Sequence, residues 1–207
     1  MAHILHLDSS PRGERSISRR LSHDFIQAWQ AVHPEDTVTY RDLGHQPVPH
    51  VDEPWIAATY SPPETLSPEL KTVIQASDVL LDEFLAADYY VCGVPMYNFN
   101  VPSTFKAYID QIVRVNRTFA VTDTGLKGLV EEGKKMLVLT ARGGVYAPGS
   151  PAASVDFQEP FLRAIFGFIG VTDITFIHAE NLNMGDDART AALAEAQAAI
   201  QMAVAHW

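Results

Sequence analysis

Apolar residues along the chain fall into two alternating rhythms. Ala2–Leu7 is a short, nearly unbroken apolar run of strand character. Ile17, Leu21, Phe25, Trp29 and Val32 then recur at spacings of four and three, one face of a helix, with Ser16 or Ser18 as its cap and Pro34 ending it near His33. Thr37–Leu43 alternates through Val38 and Tyr40 and reads as a second strand. Gly44–Pro63 is proline-rich and aperiodic, which predicts a long loop. Ser67–Ala87 regains helical spacing, with Ser77-Asp78 marking a break or a second cap. Tyr89–Val94, bounded by Asp88 and Pro95, has the continuous apolar character of a strand buried on both faces. Pro102 or Ser103 opens a helix through Val113, and Phe119–Val130 has hairpin character around Asp123-Thr124-Gly125. Lys135–Thr140 and Thr172–His178 read as further strands, with a helix at Asp156–Phe168 between them. An alanine-rich helix, Asp186–His206, follows, with a stripe through Ala192, Ala196, Ile200 and Val204.

One helix per strand predicts an α/β fold: a doubly wound, five-stranded parallel sheet with helices on both faces, residues 1–207 forming a single domain. Ligands of such sheets bind outside the carboxyl ends of the strands, so the loops there carry the chemistry.

Composition removes several classes. Fifteen Lys and Arg against 25 Asp and Glu give a net charge of −10, which opposes binding to nucleic-acid phosphates. The 47% hydrophobic content excludes general disorder. A lone cysteine, Cys92, excludes an intrachain disulfide and a cysteine-based zinc cage. The N-terminus lacks the basic-then-apolar pattern of a signal peptide, and prolines and asparagines interrupt the longest uncharged stretch, so a soluble cytoplasmic protein with no membrane partner is expected. His3 and His6 alternate with apolar residues and read as packed or edge histidines. His45 and His50 lie in a loop without ligand spacing, and no metal is expected. No Gly-x-Ser-x-Gly elbow, Walker A motif or Gly-x-Gly-x-x-Gly fingerprint occurs, which opposes a serine hydrolase, a P-loop NTPase and a Rossmann dehydrogenase.

Three loops remain. Asp8–Ser18 brings four serines, Arg12, Gly13 and Arg15 to a helix N-terminus, where free N–H groups and the dipole favour an anion such as a phosphate monoester; ordinary helix capping would use the same serines. Pro95-Met96-Tyr97-Asn98-Phe99-Asn100-Val101-Pro102 places aromatic, thioether and amide groups at a strand end, which suits a flat heterocycle. Thr140-Ala141-Arg142-Gly143-Gly144-Val145-Tyr146 offers exposed backbone N–H groups and a positive charge, though a tight turn would also explain Gly143-Gly144 and a surface ion pair Arg142.

Together these loops resemble the FMN-dependent NADH-azoreductase and NAD(P)H quinone reductase family of the flavodoxin-like superfamily. Phe168-Ile169-Gly170-Val171-Thr172-Asp173 is similar to that family's late helix-to-strand turn, and the resemblance runs from Met1 to Trp207. It implies a flavodoxin-like fold and a homodimer with one FMN per subunit. It implies that Ser10, Ser16, Ile17 and Ser18 hold the ribityl phosphate, that Pro95, Met96, Tyr97, Asn98 and Phe99 contact the isoalloxazine, and that Ala141, Arg142, Gly143 and Gly144 lie at its pyrimidine side. Ala141 stands where relatives often carry serine. Phe119 and Phe161 are implied walls of an acceptor pocket, core packing being the alternative, and Tyr146 is a candidate donor to the acceptor. The activity implied is hydride transfer from NADH or NADPH through the flavin to quinones and azo dyes, in alternating half-reactions. The flavin carries the chemistry, and no side chain is required as a catalytic acid, Asn98 and Tyr146 being the candidates. A flavodoxin-type electron carrier serving a protein partner is the rival reading, one that the acidic charge suits.

Overall fold

The computed structural model describes residues 1–207. Its seven strands are β1 (His3–Asp8), β2 (Thr37–Asp42), β3 (Tyr89–Pro95), β4 (Phe119–Thr122), β5 (Gly125–Gly128), β6 (Lys135–Ala141) and β7 (Asp173–Ala179). Five of them form a parallel sheet in the order β2-β1-β3-β6-β7, while β4 and β5 pair antiparallel as a separate hairpin. The helices are α1 (Ile17–Val32), α2 (Glu53–Tyr60), α3 (Pro68–Ala86), α4 (Ser103–Ile112), α5 (Gln158–Ile169) and α6 (Asp186–His206). The central strands β1, β3 and β6 are buried almost throughout, as apolar runs in a doubly wound sheet require.

Helices cover both faces. On one, Leu81 and Phe84 of α3, Phe105 and Tyr108 of α4 and Phe166 of α5 pack against Leu5, Cys92 and Val138. On the other, Phe25 and Trp29 of α1 and Ala196 and Ile200 of α6 pack against Ile4, Val91 and Leu137. The stripe expected on α6 is thus the buried one, whereas Val32, expected on the buried face of α1, is exposed where that helix ends.

Two expectations change. The proline-rich stretch 44–63 is not all loop. Asp52 caps α2 by accepting the Trp55 N–H at 3.0 Å, and Pro54 sits in the first turn, where it costs no hydrogen bond. Trp55 docks the helix by donating its indole N–H to Gln111 Oε1 at 2.8 Å. Nor does Ser77-Asp78 break α3. The buried Ser77 hydroxyl donates to the Gln111 carbonyl at 2.6 Å, so a polar pair tolerated inside the helix serves as a tether to α4.

After β1 the chain moves outward to β2, then returns past β1 to β3. The crevice where the strand order reverses opens between the carboxyl ends of β1 and β3. Gly93 makes room there: a Cβ on it would lie 2.1 Å from Asp8 Oδ1.

Candidate functional site

The loop after β1 turns at Gly13, whose φ of +55° suits a residue without a Cβ, and makes one tight turn before α1. Ser16 is the N-cap. Its hydroxyl accepts the Arg19 N–H at 3.4 Å and lies 3.2 Å from the Ser18 hydroxyl. Ser10, Ser16 and Ser18 are all buried. The nearest buried cation is not free for an anion. Arg19 donates from Nε to the Ser10 carbonyl at 2.7 Å and from both terminal nitrogens to Asp42.

The loop after β3 is a two-residue turn. Tyr97 and Asn100 exchange backbone hydrogen bonds of 2.8 and 3.0 Å, and the residues between them, Asn98 and Phe99, have φ of 48° and 70°. Left-handed geometry at both central positions is ordinarily met by Asn-Gly. Asn tolerates it, whereas Phe99 holds it under strain, the kind of outlier that accumulates at ligand sites.

The loop after β6 brings the largest departure from expectation. Arg142 is neither a surface ion pair nor a free positive charge. It is almost fully buried, donating from Nε to Gln158 Oε1 at 3.0 Å and from Nη1 to Asp156 Oδ2 at 2.9 Å and Glu180 Oε1 at 3.3 Å. Its Nη2 is buried without a partner. Gly143 is close-packed, since a Cβ would sit 2.7 Å from Asn183 Nδ2.

These loops converge on one cleft of about 210 Å³. Ser10, Arg12, Ser16 and Ile17 line it from the first loop, Pro95, Met96 and Tyr97 from the second, and Ala141, Arg142 and Gly143 from the third. Ser18 hydrogen-bonds to Ser16 just behind this lining, and Phe99 stands half-exposed across the turn from Tyr97. Leu182 and Asn183 of the β7–α6 connection and Arg189 in the first turn of α6 complete the wall, which was missed in sequence. The signal was its position after the carboxyl end of β7.

Phe119 packs on Phe168 at 4.9 Å between ring centres, and Phe161 packs against the main core; neither lines the cleft. Tyr146 is nearer, its ring 6.2 Å from that of Phe99 and its backbone N–H bound to Glu180 Oε1 at 3.0 Å. Cys92 is fully buried, and burial pushes its thiol far above the ordinary range, so it is inert.

Behind the first loop, Asp8 is buried between His6 and His23, its Oδ2 3.6 and 3.5 Å from their Nε2 atoms. Burial pushes the His6 imidazole down to about 4. Burial also presses the Asp8 carboxyl upward, but bonds from His23 and Ser22 and the nearby charges outweigh it and hold the group below its usual range.

A family profile described as flavodoxin-like fold matches residues 2–204. The chain is 67% identical over 207 residues to FMN-dependent NADH:quinone oxidoreductase 2 of Trichormus variabilis, and 68% identical to FMN-dependent NADH:quinone oxidoreductase of a Nostoc species, each alignment covering both chains completely. The chain belongs to this flavodoxin-like quinone reductase and azoreductase family. Among solved structures, an azoreductase from Bacillus anthracis superposes with a TM-score of 0.92 at 30% identity over the whole of both chains. An FMN-dependent NADH-azoreductase of the same organism, solved in complex with FMN, gives 0.90 at 28% identity over 99% of this chain and 98% of that one.

The donor set suits the cofactor of this family. The buried hydroxyls of Ser10, Ser16 and Ser18 and the open first turn of α1, with Arg12 beside them in the lining, are the donors a phosphate calls for. Tyr97 lines the other end of the cleft, and Phe99 is half-exposed beside it. The unpartnered Arg142 Nη2 and the close-packed Gly143 belong to a wall that backbone N–H groups can share with a ring edge. No helix of the protein is long and apolar enough to cross a membrane.

Proposed function

We propose that the protein is an FMN-dependent NADH:quinone oxidoreductase that also reduces azo compounds. The observation that carries the reading is the convergence of the three loops on one cleft, hydroxyl-rich at the α1 end and aromatic at the β3 end. In this reading Ser10, Ser16, Ile17 and Ser18 hold the phosphate. Pro95, Met96, Tyr97, Asn98 and Phe99 flank the ring, and Ala141, Arg142, Gly143 and Gly144 meet its pyrimidine edge. FMN, when bound, supplies two-electron hydride chemistry between NADH or NADPH and the acceptor.

The chain's own part is to bind, orient and stabilise charge. The N–H groups of α1's first turn satisfy phosphate oxygens while the serines add donors without adding charge. Donors at the ring's pyrimidine edge, from Gly143, Gly144 and Asn98, favour the negative charge that reduction places there. The Arg142 guanidinium also fixes Asp156 and Glu180, and Glu180 in turn holds the Tyr146 N–H. Donor and acceptor would share in turn the one open flavin face beside the Tyr97–Phe99 ledge, which would give ping-pong kinetics. Stacking reads shape more than identity, which admits both quinones and azo dyes.

The ledge also motivates a homodimer. Phe99 and Phe157 are both half-exposed and are joined by a 3.0 Å hydrogen bond from the Phe157 N–H to the Phe99 carbonyl. With the exposed Tyr97 they form an apolar rim that a second copy would cover. The lone thiol, buried and inert, suits a reducing cytoplasm.

The test is the visible spectrum of the protein loaded with FMN, recorded before and after anaerobic NADH and then after a quinone. Bleaching by NADH and recovery with quinone are expected. Bound flavin that NADH leaves coloured would favour an electron carrier, and absence of flavin binding would overturn the site.

A further inference from the structure

We propose that His6 Nε2, Asp8 Oδ2 and His23 Nε2 form a binding site for a divalent transition ion of the zinc class, tying β1 to α1 directly behind the first loop.

The three donors come from two elements. His6 and Asp8 are two residues apart on β1 and so share a face of the sheet. Helix α1 packs on that face and supplies His23. The donor atoms all lie within 4.8 Å of one another, and Asp8 Oδ2 is 3.6 Å from His6 Nε2 and 3.5 Å from His23 Nε2. Two donors at the usual zinc bond length on a tetrahedral ion stand about 3.3 Å apart. The site therefore needs only small adjustments to close on an ion.

A second, independent observation points to a ligand. His6 is 2% exposed, and its Nε2 has no hydrogen-bond partner. Buried polar atoms are nearly always satisfied, so an orphan nitrogen facing a carboxylate and a second imidazole asks for a partner between them. The carboxylate is already oriented as a ligand would be: Ser22 Oγ donates to Oδ1 at 2.8 Å and the Tyr40 hydroxyl to Oδ2 at 3.1 Å. Arg19 Nη1 lies 3.9 Å from Asp8 Oδ2, but both terminal nitrogens of that guanidinium are bound to Asp42. Two carboxylates thus face one guanidinium, leaving one negative charge for the ion to meet.

Two imidazoles and one carboxylate select zinc, cobalt, nickel or copper over magnesium or calcium. His23 is half-exposed, which gives the ion a route in and leaves a fourth position for water. The sequence shows no ligand motif here because the third donor arrives through helix packing.

The test uses the FMN-loaded protein, stripped with a chelator and titrated with Co²⁺. One equivalent per chain is expected, with the visible d–d bands of a low-coordinate ion at wavelengths beyond the flavin absorption, displaced by Zn²⁺, and a higher melting temperature with Zn²⁺. His23→Gln, at a half-exposed position outside the cleft lining, should keep its FMN and its quinone reduction but lose the bands and weaken binding by at least about tenfold. A His45→Gln, His50→Gln double variant should bind as wild type does. Absence of d–d bands in the wild type, or unchanged binding in His23→Gln, would overturn the site.

Discussion

Arg142 Nη1 sits 2.9 Å from Asp156 Oδ2, joining the end of β6 to the start of α5. The same nitrogen reaches Glu180 beyond β7, and Asp156 Oδ1 also accepts the Gln158 and Glu159 N–H groups. One guanidinium therefore fixes three segments around the cleft. Replacing Arg142 with Met leaves two carboxylates facing each other without a cation. The expected cost is about 3–5 kcal/mol, the range for breaking rather than replacing a buried pair. Urea unfolding measures it, and weaker FMN binding should accompany it. A loss below about 1 kcal/mol would show that the network does not hold the wall.

Phe99, with φ of 70°, makes the opposite prediction. Relief of left-handed strain in Phe99→Gly offsets the loss of a half-exposed ring and the extra freedom of the unfolded chain. Stability should rise by less than about 1 kcal/mol, while FMN affinity and the rate of bleaching by NADH both fall. A clear drop in stability would mean that the Phe99 ring serves the fold and not the ligand.

Ser16 and Ser18 separate capping from binding. Ser16 accepts the Arg19 N–H, so Ser16→Ala should cost about 1 kcal/mol and also weaken FMN binding. Ser18 bonds to Ser16 but caps nothing. Ser18→Ala should weaken FMN binding with little change in the unfolding midpoint. Unaltered flavin affinity in the double variant would remove the phosphate role from this loop.

The parts of this molecule that were legible in sequence are those encoded locally. Tyr89–Pro95 and the Met136–Leu139 centre of β6 are unbroken apolar runs because helices cover both faces, and the stripe Ala192, Ala196, Ile200 reports the buried side of α6. The three loops were legible because they follow strand ends. Helix α2 was hidden because only Trp55 and Ala58 are buried, too few for a periodic stripe; Asp52 and Pro54 were the available sign. The burial of Arg142 and the meeting of His6 with His23 had no local sign. Their partners come from other elements, and only packing brings them together.

Asp42 sets the acid limit of the first loop's support. Burial pushes its carboxyl up, but the Arg19 guanidinium and the side chain and N–H of His45 outweigh this and hold it well below the ordinary carboxylate range. A carboxyl whose folded-state pKa is depressed binds protons more readily when unfolded. Its contribution is complete above the unfolded value of about 3.9 and declines as pH falls from there toward the folded value. Wild-type stability should therefore decline steeply below about pH 4. Asp42→Asn should be less stable than wild type at neutral pH by about 1.5–3 kcal/mol, the worth of hydrogen bonds to a charged group, and the gap should narrow as pH falls through the acid range. Thermal unfolding of the two proteins between neutral and acid pH measures this directly. Parallel curves, with the same gap at every pH, would show that Asp42 contributes by shape alone and that Arg19 holds the Ser10 carbonyl without it.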